Sequence, residues 1–328
     1  MKKKALLIGI NYVGQDAELS GCVNDICDIR KICSLLGYTD ICTLYDGKWV
    51  GTFPITDIRL ANKSTAPTRQ NMIDGMKWLV SDVNEGDMLF FHYSGHGGKL
   101  RELIRGSEID RMDETIIPVD YLNAEMIRDN DLKTLLVEPL RGKNVSLRVI
   151  LDCCHSGTGM DLFYNISPVL RRSADAIVEQ PSYISQLISN AVQKELQKWF
   201  GSNVSMELED SSPKFHEWSS DGIDEVVTLE QLEKREFHPR ALQYVDVIMI
   251  SGCMDKQTSA DAYFSSRPNG ALSFFLIAIL QEKIQRNSWP SVANFLQDLQ
   301  RRIRLGGFSQ VPQMSCEFPI SGYTRFTL

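Results

Sequence analysis

The sequence lacks a long hydrophobic run. Its longest apolar segment, residues 271–280, is about half of the ~20 residues that a membrane-spanning helix needs. The apolar segment 5–10 follows three lysines but is too short for a signal peptide and lacks a small-residue cleavage site. We therefore expect no membrane segment and no secretory leader. The eight cysteines then suit a reducing compartment, and we expect a cytoplasmic protein.

Clustered positive charge is also missing. The chain has 35 Lys and Arg against 42 Asp and Glu, a formal net charge of −7, and no basic run is longer than the opening lysines. A protein that binds a phosphate backbone needs a clustered basic face. Nucleic acid is therefore not an expected partner.

Nucleotide and zinc motifs are absent as well. The turn at residues 9–14 lacks the Gly-x-Gly-x-x-Gly spacing, and Gly142-Lys143 has no preceding phosphate-loop glycine. The sequence contains no Cys-x-x-Cys pair and no His-Glu-x-x-His. These absences disfavour a nucleotide-binding α/β protein and a zinc protein.

The sequence does contain a regular alternation of short apolar runs and stretches of helical periodicity. The runs predict strands at 4–10, 40–46, 87–93, 145–152 and 244–250, with a short last strand at 323–327. Helices are predicted at 23–36, after an N-cap at Thr68, at 183–200, at 270–286 and at 291–304. This alternation predicts an α/β fold with a mostly parallel central sheet and helices on both faces.

The alternation weakens between about residues 165 and 237. Residues 201–224 are polar and rich in Ser and Glu, as in an insertion or linker. We therefore divide the chain into a catalytic region at 1–165, a linker at 166–240 and a region at 241–328 that completes the same sheet.

Two strand ends carry residues that sheet propensity does not explain. The third strand ends in the sequence YSGHGG and the fourth in DCCHSG, which place His96 and Cys154 directly after buried strands. A cysteine nucleophile needs a nearby base, and parallel neighbouring strands would bring these two residues together at their carboxyl ends. Alone, each residue type is more often structural. Together they predict a Cys-His dyad, with His92 as a weaker alternative base.

Acidic residues lie near both elements of this dyad. Asp152 precedes Cys154 by two residues on the same strand face, and Asp25 lies at the start of the first helix. Two carboxylates near a scissile bond suit a cationic side chain. An alternative is that Asp25 caps its helix.

A second acidic set lies between the dyad residues and just after them. It consists of Asp113, Glu114, Asp129, Asp131 and Asp161. Oxygen-rich clusters suit Ca²⁺, which takes six to eight hard ligands. Scattered acids in loops are more often a solvated surface, so both interpretations stand.

Several segments together resemble the metacaspases, which are calcium-dependent cysteine proteases of the caspase-haemoglobinase fold. The segments are ALLIGINY (5–12), GCVND (21–25), YSGHGG (93–98), MDE and PVD (112–120), DCCHSGT (152–158) and SADAYF (259–264). The caspase signature Gln-Ala-Cys-x-Gly is absent, which separates the chain from caspases and from their preference for Asp.

The resemblance implies roles for individual residues. His96 would be the catalytic histidine and Cys154 the nucleophile, with oxyanion donors from the backbone around Gly97 and Cys154. The first specificity pocket would select Arg or Lys. It would be lined by Cys22, Asp25, Ser94 and Asp152.

The resemblance also implies an activating Ca²⁺ site. It maps onto Asp113, Asp129, Asn130 and Asp161, where Asn130 stands in place of an expected Asp and should weaken Ca²⁺ binding. The regions 1–165 and 241–328 would be large- and small-subunit-like parts, with the enzyme cutting its own linker between them. The protein would be a monomer that acts on proteins or peptides with Arg or Lys before the scissile bond.

A function of another class remains open from the residues. A calcium-responsive scaffold or pseudoprotease could keep this fold and bind basic peptides without turnover. The presence of both His96 and Cys154 favours the enzyme.

Overall fold

The structure of the protein is a computed structural model. It describes residues 1–51, 60–101, 112–153, 160, 162, 164–166, 226–227, 245–252, 261–264, 267–317 and 324–328. Nearly all of the predicted linker at 166–240, including the helix predicted at 183–200, lies outside the described residues.

Thirteen strands and five α-helices are described within these ranges. The strands are β1 (Lys3–Gly9), β2 (Asp40–Tyr45), β3 (Met88–Ser94), β4 (Gly97–Arg101), β5 (Met112–Ile116), β6 (Ile127–Arg128), β7 (Ser146–Asp152), β8 (Tyr164–Ile166), β9 (Val226–Val227), β10 (Asp246–Ser251), β11 (Asp261–Phe264), β12 (Arg267–Gly270) and β13 (Gln313–Cys316). The helices are α1 (Cys22–Leu35), α2 (Arg69–Val80), α3 (Asp129–Leu136), α4 (Ala271–Arg286) and α5 (Val292–Leu305), and a 3₁₀ turn spans Glu138–Leu140.

Eight of the strands form one sheet in the order β2-β1-β3-β7-β10-β13-β8-β9. The first five are parallel neighbours, whereas β13 runs antiparallel to both β10 and β8. The predicted mostly parallel sheet is therefore confirmed. Because β1, β3 and β7 are adjacent, Gly9 pairs with Ser94 and Ser94 with Asp152 at one edge of the sheet.

Helices cover both faces of this sheet, as predicted. One core packs α1, α4 and α5 against side chains such as Leu7, Phe90 and Ile150. The other packs α2 and α3 against alternate residues of the same strands, such as Leu6 and Phe91. This division follows from the two-residue period of a strand, which sends neighbouring side chains to opposite faces. No helix in the described ranges is long and apolar enough to cross a membrane.

The N-cap prediction for α2 is confirmed. The Thr68 side chain accepts a hydrogen bond from the backbone N–H of Asn71, at 3.3 Å. Such a bond satisfies one of the N–H groups that a helix start leaves without an intrahelical partner.

The prediction of a last strand at 323–327 is wrong. Within this segment the structure has a single bridge between Arg325 and Ser291, and the strand that joins the sheet is β13, which we did not predict. The sequence of β13, Gln-Met-Ser-Cys, is short and has little β-branched character, so it carries no strong strand signal. The small sheet β4-β5-β6 was missed for the same reason, since β4 opens with two glycines and β6 has only two residues.

The second core allows a stability test at Leu6. This side chain is fully buried beneath α2, where it lies close to Gly75. We expect Leu6→Ala to lower the free energy of unfolding by about 2–5 kcal/mol, because truncation leaves a cavity in a packed core. Leu122→Ala is the control, since Leu122 is 76% exposed and its truncation should change stability by less than about 0.5 kcal/mol. Equilibrium unfolding in urea measures both, and equal effects of the two variants would contradict the assignment of this core.

Candidate active site

The two predicted motifs start from neighbouring strands. The parallel pairing of β3 with β7 ends at the pair Ser94 and Asp152, so the chain leaves both strands at the same edge of the sheet. His96 follows β3 by two residues, and Gly97 opens β4 directly after it. Cys154, the predicted nucleophile, lies outside the described residues, which end at Cys153 and resume at Met160. Cys153 itself is buried in the α2 and α3 core.

The His96 imidazole has a defined hydrogen-bond partner. Its Nε2 lies 2.7 Å from the carbonyl oxygen of Ala17, which can only accept, so Nε2 carries the proton. In the neutral ring Nδ1 is then the nitrogen that can take up a proton. The sequence alone indicates no third residue beside His96 and Cys154. A main-chain carbonyl supplies this contact, and a backbone atom leaves no residue-type signal in a sequence.

Asp25 is the centre of a buried polar cluster. Its carboxylate is fully buried and accepts hydrogen bonds from Ser94 Oγ at 2.7 Å and from Asn269 Nδ2 at 2.8 Å. The backbone N–H of Gly270 donates to both carboxylate oxygens, at 3.1 and 3.0 Å. Asp25 does not cap α1, because Gly21 is at the N-cap and no side chain caps the helix, but its carboxylate does lie in the first turn, near the helix N-terminus.

Asp152 also lies close to Gly270. Its Oδ2 accepts the backbone N–H of Ser273 at 2.8 Å. A Cβ atom built on Gly270 would overlap Asp152 Oδ2 and lie 2.9 Å from Asp25 Oδ2, so both carboxylates lie against the space that a side chain here would occupy. Only a residue without a side chain fits at this position.

The start of α4 provides the positive field for both carboxylates. Gly270 is its N-cap, and Ser273 lies in its first turn, where backbone N–H groups point out of the helix. Burial raises the pKa of Asp25 well above its usual range, and the nearby charge of Asp152 raises it further.

The other two predicted pocket residues, Ser94 and Cys22, lie close to Asp25. Ser94 donates to Asp25, whereas Cys22 is buried one helical turn before Asp25 on α1. The sequence alone does not indicate Asn269, Gly270 or Ser273. Asn269 and Gly270 lie in β12 and Ser273 lies in the first turn of α4, and none of them carries a charge or a motif. Asn269 is 244 residues from Asp25 along the chain, so only the fold brings the two together.

His92 is separated from the sheet edge. It is fully buried on the α1 and α4 face, and its Nε2 lies 3.0 Å from Ser273 Oγ. Burial lowers the pKa of His92 to about 3, so the ring is neutral at physiological pH. His92 therefore contacts Ser273, the residue whose backbone N–H binds Asp152, and it is not placed to act as a base.

The predicted calcium ligands lie around β5 and α3. Asp113, almost fully buried on β5, pairs with Arg128 Nη1 at 2.5 Å, and its Oδ1 has no hydrogen-bond partner among the described residues. Asp129, fully buried at the start of α3, accepts the backbone N–H of Glu114 at 2.9 Å and that of Asn130 at 2.7 Å. Carboxylate oxygens of this kind are ligands that a hard cation such as Ca²⁺ prefers. Asp161 lies outside the described residues, and the described ones contain no group of three or more metal-binding side chains.

Comparison with known proteins identifies the family. A family model described as "Metacaspase, peptidase C14 domain" matches residues 3–163. Metacaspase-1 of Schizosaccharomyces pombe is 33% identical over 327 residues, which cover 97% of this chain and 68% of that protein. Metacaspase-1 of Mycosarcoma maydis is 36% identical over 319 residues, covering 97% of this chain and 71% of that protein.

Metacaspase-1 of Saccharomyces cerevisiae extends the match along the whole chain. It is 33% identical over 330 residues, covering 100% of this chain and 69% of that protein. These matches agree with the parallel sheet covered by helices on both faces. The chain therefore belongs to the metacaspase family of C14 peptidases, with their caspase-like fold, and is a cysteine-type endopeptidase.

Proposed function

We propose that this metacaspase cleaves proteins after Arg or Lys by a Cys154–His96 dyad, that Ca²⁺ activates it, and that it cuts its own 166–240 segment. The observation that carries the specificity is the pair of buried carboxylates, Asp25 and Asp152, which both lie against Gly270. Membership of a peptidase family favours turnover over the scaffold that the residues alone left open.

The dyad performs acyl transfer in two steps. The Cys154 thiolate attacks the carbonyl carbon of the scissile peptide bond, and backbone N–H groups around Gly97 and Cys154 stabilise the resulting oxyanion. Imidazolium Nδ1 of His96 then gives its proton to the leaving amine, and a thioester remains. Water attacks this thioester, His96 takes the water's proton, and the carboxylic acid product leaves.

The Ala17 carbonyl supports this assignment of the imidazole nitrogens. It accepts the Nε2 proton of His96, so Nδ1 is the nitrogen left for proton transfer. A fixed acceptor on one side of the ring also stabilises the imidazolium that forms during the reaction, as a carboxylate does in serine protease triads.

Selection of a basic side chain follows from the hydrogen bonds of Asp25. Its described donors, namely Ser94, Asn269 and Gly270, are all neutral, so they orient the carboxylate without cancelling its charge. A buried carboxylate beside a second one gains most from a cation, because the attraction is strong where water is excluded. A guanidinium or ammonium group of the substrate supplies that cation.

Calcium would be held by Asp113, Asp129, Asn130 and Asp161. The unpartnered Oδ1 of Asp113 and the hard oxygen donors of the first three residues support this proposal. Ca²⁺ would supply fixed positive charge that ties β5 to the start of α3. Arg128 already neutralises part of the charge of Asp113, so we expect weak binding.

Removal of either dyad side chain tests the proposed chemistry. We expect Cys154→Ala and His96→Ala each to lower kcat on a fluorogenic peptide with Arg before the reporter by about a thousandfold or more, because each removes a partner in covalent catalysis. Mass spectrometry of the purified protein should find a cut between residues 166 and 240 in the wild type and none in Cys154→Ala. Undiminished turnover in either variant would refute the dyad.

Removal of either pocket carboxylate tests the proposed specificity. We expect Asp25→Asn and Asp152→Asn each to lower kcat/KM for the Arg peptide by about 100-fold, because each removes one buried charge from the pocket. Asp74→Asn, the same substitution on α2 at the other face of the sheet, is the matched control and should leave kcat/KM unchanged. Full activity in both pocket variants would remove the argument for a basic substrate.

Changes in the charge of the proposed calcium ligands test the calcium site. We expect Asp113→Asn to raise the Ca²⁺ concentration for half-maximal activity about tenfold, because the site loses a charged ligand. Asn130→Asp should lower that concentration, since it adds the carboxylate that this chain lacks. A calcium titration of the wild type, both variants and Asp74→Asn distinguishes these effects. If Asp113→Asn responds as the wild type does, Ca²⁺ binds elsewhere.

A further inference from the structure

The backbone around His96 has few side chains to hold it. Glycines stand at positions 95, 97 and 98, so the segment that carries the imidazole has few side chains of its own to pack. Its main chain is held on one side, where Gly97 and Gly98 pair with β5 and the Ile117 N–H donates to the His96 carbonyl at 3.2 Å. Proton transfer requires the ring to stay within a fraction of an ångström of its working position. Something outside this segment must therefore fix it.

Two tyrosine hydroxyls bind both peptide groups of His96. The backbone N–H of His96 donates to Tyr12 Oη at 3.0 Å, and Tyr93 Oη donates to the His96 carbonyl at 2.6 Å. The same hydroxyls bind residue 117, because Tyr12 Oη donates to the Ile117 carbonyl at 2.7 Å and Tyr93 Oη accepts the Ile117 N–H at 3.2 Å. Each phenol therefore uses its one hydrogen and at least one lone pair.

The two hydroxyls also contact one another. Tyr12 Oη and Tyr93 Oη lie 3.1 Å apart, and both side chains are almost fully buried. The pair forms a bridge, hereafter the tyrosine bridge, between the start of β4 and the segment after β5. Burial raises the pKa of both phenols, so the hydroxyls keep their protons at pH values where an exposed tyrosine would lose its own.

Tyr12 makes a further contact with the imidazole itself. The two ring centroids lie 4.7 Å apart with the planes tilted by 36°. The Tyr12 backbone has φ = 54°, a left-handed conformation that is rare for a bulky residue. Such strain persists only where surrounding contacts determine the position, and it is concentrated at functional sites.

Gly95 completes this arrangement. A Cβ atom built there would lie 2.6 Å from Tyr93 Oη and 3.1 Å from Tyr12 Oη, so any side chain would displace the bridge. The glycine that frees the backbone therefore also leaves the space in which the two hydroxyls meet.

We propose that Tyr12 and Tyr93 are positioning residues for His96, and that their hydroxyls hold its imidazole in line with the thiol of Cys154. This proposal rests on the proposed function, in which His96 and Cys154 form the dyad. The tyrosines touch neither the substrate nor the thiol in this proposal. They act by fixing the backbone of the histidine and, for Tyr12, one face of its ring.

The test compares single-hydroxyl deletions in the full-length enzyme. We expect Tyr12→Phe and Tyr93→Phe each to lower kcat on the Arg peptide by about 10- to 100-fold with KM within about twofold, because a misplaced base slows the chemical step without changing the specificity pocket. The double variant should lose less than the product of the two single losses, since both hydroxyls act on the same residue.

A second measurement reports on the ionisation of the Cys154 thiol. The rate of Cys154 alkylation by iodoacetamide, followed by peptide mass spectrometry across pH, reports how strongly the imidazolium stabilises the thiolate. We expect the apparent pKa of this alkylation to rise in both variants toward that of an ordinary cysteine. A loss of global stability alone would not move this profile.

Tyr38→Phe is the matched control. Its hydroxyl is buried without a hydrogen-bond partner in the described part of the chain, and its ring packs against Phe90 on the other face of the sheet. This variant should keep the wild-type kcat and alkylation profile. Thermal unfolding of all variants verifies that each is folded at the assay temperature.

A third variant keeps the proposal testable if Tyr12→Phe does not fold. Gly95→Ala retains both hydroxyls but displaces them, and it should lower kcat and shift the alkylation profile in the same direction. The proposal is overturned if folded Tyr93→Phe and Gly95→Ala match the wild type in kcat and alkylation while His96→Ala is inactive. If His96→Ala itself is active, the dyad fails instead.

Discussion

The burial of two carboxylates side by side is the constraint around which this molecule is arranged. Removing a charged carboxylate from water costs several kcal/mol even after relaxation, and a second one nearby adds to that cost. The structure offsets it with neutral donors and with the first turn of α4. Asp25 comes from α1, Asp152 from β7 and the donors largely from β12 and α4, so the site forms only when distant parts of the chain have folded together.

If this cluster binds substrate as proposed, it connects substrate binding to the stability of the fold. Burial and the nearby charge of Asp152 raise the pKa of Asp25, which favours the neutral carboxyl group. In the folded state this group holds its proton to a higher pH than in the unfolded chain, so its contribution to stability is present at low pH and is lost as pH rises through its folded pKa. In the proposed function, a bound cation would reverse this preference. It would then offset part of the free energy that the burial of charge costs.

Much of the fold could be predicted from the sequence because its central strands are simple. The five parallel strands are short, apolar and flanked by polar or glycine residues, and their alternation with helices specifies a covered parallel sheet. The polar strand β13 and the glycine-rich β4 could not be predicted, because they are held by their partners in the fold and not by their own propensity. For the site, the sequence indicated residues at strand ends, and the structure places Ser94 opposite Asp152 there, while the roles of the site residues stay predictions. The sequence did not indicate Asn269 or the Ala17 carbonyl, since neither carries a charge or a motif.

The parallel ladder between β7 and β10 joins regions that precede and follow the long central segment. Its six residue pairs run from Ser146 opposite Asp246 to Leu151 opposite Ser251, and the bond from Asn269 to Asp25 crosses between the same regions. A single break in the covalent chain between residues 166 and 240 would leave all of these contacts in place. The two resulting polypeptides would share one sheet and the cores on both of its faces. They would separate only on denaturation, as a tight noncovalent heterodimer does.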